Sequence, residues 1–76
     1  MNNQRRKEID KIMAEVEELK SRIESLQVEE QESFDNMPEG VQNSERGEKS
    51  AAAADALQSA CDAMDEVFEQ LEQSKE

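Results

Sequence analysis

One cysteine, no histidine and an excess of carboxylates set the chemical limits of this 76-residue chain. Without histidine there is no Ser-His-Asp or Cys-His arrangement, no imidazole general base and no imidazole metal ligand. The helical di-metal pattern Glu-x-x-His is missing for the same reason. Neither of the phosphate-cradling glycine patterns, G-x-x-x-x-G-K-[ST] or G-x-G-x-x-G, occurs. The lone thiol, Cys61, cannot close a disulfide within the chain. It reads as a small buried hydrophobe, with a cross-link between two copies near a two-fold axis as the sharper alternative. The segment DNMPEG departs from the D-x-[DN]-x-[DN]-G calcium loop. The expectation is a protein that is not an enzyme, with no catalytic residue, cofactor or metal.

Three groups of residues remain that could bind something. Asp62, Asp65, Glu69 and Glu72 fall on one helical face, together with Asp55. Like-charged pairs four residues apart, such as Asp62–Glu66 and Asp65–Glu69, each cost a few tenths of a kcal/mol where a lysine would have helped. The face is either solvated for solubility or a docking surface for a basic protein. Arg46 and Lys49 lie near a helix start, where converging subunits could hold a nucleotide or another anion. Phe34, Met37 and Val41 surround a turn, either plugging the end of a bundle or forming a recognition tip.

The elements that position these groups are two helices. Residues 4–34 carry an apolar stripe at Ile9, Ile12, Val16, Leu19, Ile23 and Leu26, spaced 3-4-3-4-3, with a charged surface and no Gly or Pro. Pro38 pushes Met37 out of helical geometry, and Gly40 is free to take a positive φ, so 35–43 reads as the loop. Ser44 is the expected N-cap of a second helix over 44–72, slightly weakened by Gly47, before a polar tail at 73–76. Its stripe is Ala54, Leu57, Cys61, Met64, Phe68 and Leu71, with the same spacing. Read antiparallel, the stripes pair as Ile9–Leu71, Ile12–Phe68, Val16–Met64, Leu19–Cys61, Ile23–Leu57 and Leu26–Ala54, each centred on Gly40. The fold class expected is therefore all-α: one domain, 1–76, an antiparallel, coiled-coil-like helical hairpin. Arg5, Arg6, Lys7 and Lys11 would lie beside Glu66, Glu69, Glu72 and Glu76, each set offsetting the other's wrong-signed helix end.

A second stripe of the C-terminal helix is made of small residues: Ala53, Ala56, Ala60 and Ala63, ending in Val67. Met13 is the only large apolar residue at the edge of the first helix's stripe, so that helix is assigned one packing face and the second helix two. The alanine face is expected to meet the second helix of another copy, giving a dimer that is a four-helix bundle. A chain of this length buries little on its own, and Phe34 and Phe68 are its only aromatics.

Twenty acidic against nine basic residues give a net charge of −11. That charge argues against direct nucleic-acid binding and against anionic membranes, and favours basic partners. There is no apolar run long enough for a membrane span and no secretory signal at the start, so a cytoplasmic setting is expected. The stretch Phe34–Glu48, FDNMPEGVQNSERGE, followed by an alanine-rich helix, resembles a segment of small uncharacterised acidic helical-hairpin proteins of bacteria, phages and mobile elements. The N-x-P-E and Q-x-S-E-R-G patterns carry the likeness, which covers the second half of the chain and brings over no functional residue. It implies a phage or mobile-element accessory protein that binds and inhibits a host defence or regulatory protein. A nucleotide sponge and a structural or assembly adaptor are the alternatives.

Overall fold

The computed structural model describes residues 1–76 and contains three helices: α1 (Asn3–Asp35), α2 (Glu39–Gln42) and α3 (Glu45–Ser74). α1 begins where Asn2, in extended geometry, accepts a hydrogen bond from the Arg5 amide at 2.8 Å. That bond satisfies one of the free N–H groups of a helix start. α1 and α3 fold back on each other, so the molecule is a rod of 58 × 15 × 12 Å. The chain is all-helical, and its principal packing is between the two long helices.

The turn is more structured than a loop. α1 stops at Asp35, and Pro38 starts a single helical turn by accepting from the amides of Val41 and Gln42 at 2.8 and 3.0 Å. The Gln42 side chain returns to α1 and donates to the Phe34 carbonyl at 3.0 Å. Ser44 then caps α3, accepting from the Gly47 amide at 3.5 Å while its hydroxyl donates to the Val41 carbonyl. No residue has a positive φ, so the reversal uses none of the left-handed freedom that Gly40 offers. Gly40 sits inside α2 with open space around it. The indispensable glycine is Gly47. A Cβ there would lie 2.2 Å from the Gln42 carbonyl oxygen, closer than any real contact allows. Whatever it costs in helix propensity, Gly47 lets the start of α3 fit against the turn.

The seam between the long helices overturns half of the expected pairing. On α3 the buried and half-buried line is Ala54, Leu57, Cys61, Met64, Phe68 and Leu71, as the apolar spacing predicts, extended to Gly47 and Ser50 at one end and Lys75 at the other. On α1 the line is Ile9, Met13, Val16, Lys20, Ile23 and Gln27. Ile12, Leu19 and Leu26 are 38, 44 and 53% exposed, so they lie beside the buried line, not in it as their pairing with Phe68, Cys61 and Ala54 requires. Met13, read from the sequence as an edge residue, is the most buried side chain of α1 at 5%. α1 thus has two apolar faces, not one. The seam of α1 is turned toward Met13 and Lys20, where Lys20 pairs with Asp65 beside the α3 stripe, and the Ile12–Leu19–Leu26 column lies out of it.

The open end also differs from expectation. None of its cross-helix ion pairs joins Arg5, Arg6, Lys7 or Lys11 to Glu66, Glu69, Glu72 or Glu76. Instead Lys75, from the supposed polar tail, pairs with Asp10 at 2.8 Å, and Arg6 Nε donates to the Lys75 carbonyl at 2.9 Å. α3 runs to Ser74, and Lys75 is its C-cap. Packing is thin throughout: six of 76 residues are buried, and no large side chain is fully enclosed.

Candidate functional site

Turning of about 100° per residue gives the rod two flanks, one on each side of the seam. On one flank α1 contributes Glu17 and Glu24, and α3 contributes Asp65. They rim a shallow groove of about 490 Å³ whose apolar lining is Val16, Met64 and Phe68. Lys20 crosses this groove, pairing with Asp65 and, at 3.5 Å, with Glu24. The hydrogen bond to Asp65 is the main reason its ammonium is held above the ordinary 10.5, with burial pulling the other way. The lysine is committed to its carboxylates, which leaves Glu17 as the rim acid without an ion pair. Asp62, Glu69 and Glu72 are exposed on the outer side of α3, and Glu72 is 3.4 Å from Lys75. Of the four acids singled out in the sequence, Asp65 alone lines the groove. Glu17 and Glu24 were missed because they belong to α1, and only the antiparallel register brings them beside Asp65.

The candidate anion site mixes both charges. Arg46 and Lys49 border a groove of about 310 Å³ at the turn end, with Met37, Ser33, Ser50 and Glu30 on its other sides. Lys49 pairs with Glu45 at 3.2 Å, and Glu30 accepts a 2.7 Å hydrogen bond from the nearly buried Ser50 hydroxyl. An anion there would meet the Glu30 carboxylate as well as the two cations. Met37 and Val41 are half-buried, as is Phe34, and they cover the turn end of the seam. Gln42, Ser44 and Gly47 are all used in building the turn.

Cys61 is 3% exposed and lies in the seam, where burial pushes its thiol up from 9.0, reinforced by the Glu24 charge. In that position it packs against α1 rather than facing another copy. Ala53, Ala56, Ala63 and Val67 are exposed and Ala60 is half-buried. They lie on the flank away from the groove, as set out below. No group of three or more His, Cys, Asp or Glu side chains is arranged to hold a metal ion, and no helix is long and apolar enough to cross a membrane.

Fold and site together define an all-α helical hairpin with an acid-rimmed groove. No protein-family model matches the chain, and no curated protein or solved structure is similar enough to count as a match.

Proposed function

We propose that this chain is a small non-catalytic protein-binding module whose groove receives a basic side chain of a partner protein. The observation that supports this reading is the groove's construction: an apolar lining of Val16, Met64 and Phe68 beside Glu17, the rim carboxylate that Lys20 leaves unpaired. An arginine or lysine has matching chemistry, an aliphatic stem that packs on apolar surface and a cationic head that meets carboxylates. Asp62, Glu69 and Glu72 extend the negative potential along the rod and would speed the approach of a basic partner. A host defence or regulatory protein, blocked by a phage or mobile-element accessory protein, is the narrower form of this reading.

Affinity capture from a cell lysate tests it. The unaltered chain is expected to retain a basic protein that is lost when Glu17 and Glu24 are both replaced by Lys. Replacing Asp62 and Glu69 by Lys should weaken capture mainly at low salt. If both double variants retain every protein that the unaltered chain retains, the reading fails.

A further inference from the structure

The flank opposite the acidic groove is apolar along its middle, from Ile12 to Leu26 on α1, and is charged at its turn end by Glu30, Arg46 and Lys49. Lys20 reaches Asp65 on the groove side. On α1, residues displaced from the seam in the other direction are Ile12, Leu19 and Leu26; on α3 they are Ala53, Ala60 and Val67. Because the helices are antiparallel, these two columns share one flank. Ile12, Leu19, Leu26 and Val67 are four of the six large apolar residues that the chain leaves exposed. Helical turning also places Asp55, Asp62, Asp65, Glu66, Glu69 and Glu72 away from it.

We propose that a second copy of the chain covers this flank, two hairpins forming a four-helix bundle in which α1 of each lies over α3 of the other. Surface area leaves room for an occupant of this size. A compact monomer of 8.6 kDa exposes roughly 4,700 Å² by the scaling of folded proteins, whereas this rod exposes 5639 Å². The surplus of roughly 900 Å² reflects the elongated shape of the lone hairpin, whose long flank has room for a standard interface of approximately 800 Å² per partner. A copy has the right length, and a two-fold axis along the rod makes the contact self-complementary.

Size and charge decide which helix meets which. α1 offers large side chains to this flank and α3 small ones, so α1 over α3 sets knobs against holes. In that register Leu19 enters a space between the partner's Ala60, Ala63 and Val67, and Leu26 one between the partner's Ala53, Ala56 and Ala60. The next column of α1 is Glu8, Glu15, Arg22 and Glu29, and the next column of α3 is Lys49, Ala56, Ala63 and Gln70. Stacking α1 on α1 would bring the glutamates together. Laying α1 over α3 sets them against a column without acids. The alanine stripe therefore meets α1 of the other copy rather than its own equivalent.

Sedimentation of the unaltered chain and cysteine pairing test this together. In a Cys61→Ala background, chains carrying Leu19→Cys are mixed with chains carrying Ala63→Cys and oxidised. The expected results are a dimeric mass at micromolar concentration and a mixed disulfide dimer that exceeds either self-linked product. A monomeric mass for the unaltered chain overturns the proposal, and so does a product dominated by Leu19→Cys chains linked to each other. The sedimentation arm needs no substitution and is independent of whether the groove on the other flank binds a basic protein.

Discussion

The two ends of the hairpin are closed by different physics. At the turn end the chain is tied by close backbone approach and directed hydrogen bonds: Gly47 against the Gln42 carbonyl, Gln42 to Phe34, Ser44 capping α3 and Ser50 to Glu30. At the open end Lys75 holds α1 through Asp10 and through its own carbonyl, which accepts from Arg6. At Gly47 the first end has no room for a side chain. Charge at the second end yields gradually to salt and pH. The turn therefore sets the register, and the open end follows it.

The strongest way to break this asymmetry is to add one methyl group at each glycine of the turn. Gly47→Ala forces a Cβ into the Gln42 carbonyl, and overpacking of that kind costs about 1–3 kcal/mol. Gly40→Ala meets nothing within 4 Å and no positive φ, so it should stabilise by roughly 0.4–1 kcal/mol through the unfolded state. Urea melts at one fixed protein concentration would show opposite shifts of midpoint. Equal shifts of the same sign would mean that the turn does not pin α3 as described.

A buried hydrogen bond comes next. Ser50 is 7% exposed and its hydroxyl donates to Glu30 at 2.7 Å. Ser50→Ala should cost about 1.5–3 kcal/mol, the range for a bond to a charged group. It should also leave the melting midpoint little dependent on salt. Removing the Lys75 charge at the open end, as in Lys75→Gln, should cost less and lose its effect at high ionic strength. If salt masks both changes equally, the two ends are not distinct.

The caps offer a finer contrast. Ser44→Ala should destabilise the whole hairpin by about 0.5–1 kcal/mol, the low end for an N-cap because its bond to Gly47 is long at 3.5 Å. Asn2→Ala removes a shorter bond, 2.8 Å to Arg5, yet α1 starts at a free end. Hydrogen exchange should report fraying of its first turn alone.

Much of this architecture was legible in the spacing of apolar residues, and the failures have particular causes. The α3 stripe was readable because Ala54, Leu57, Cys61, Met64, Phe68 and Leu71 are both its apolar positions and its seam. On α1, apolar periodicity and helix pairing disagree. Ile9, Val16 and Ile23 can be joined either by Ile12, Leu19 and Leu26 or by Met13, Lys20 and Gln27. Hydrophobicity favours the first set, and the structure uses the second. Lys20 is an unpromising seam residue until Asp65 stands opposite it, and that pairing depends on a register no local rule supplies. The groove was hidden for the same reason: its rim joins Glu17 and Glu24 of α1 to Asp65 of α3. Ser44 as a cap was local chemistry and was readable. The need for Gly47 was not, because the carbonyl it avoids reaches it only through the path of α2.

The smallest effect expected is an alkaline loosening that spares the turn. Lys20 and Lys75 are held above 10.5 mainly by their hydrogen bonds to Asp65 and Asp10, and Cys61 is raised above 9.0 mainly by burial. In each case the folded chain keeps its proton more tightly than the unfolded chain does. The associated stability is complete below the unfolded values and is lost as pH rises through the raised folded ones. Melting temperature should therefore hold up to pH 9.0, begin to fall as the unfolded thiol ionises, and fall further above 10.5 as the lysines discharge. Cys61→Ala should remove the first stage and Lys75→Gln part of the second. None of the three groups lies at the turn end. Hydrogen exchange compared at equal intrinsic rate should thus show protection lost first around Asp10 and Lys20, while amides near Gly47 and Ser50 persist. Loss beginning at Gly47 would reverse the order of the two ends.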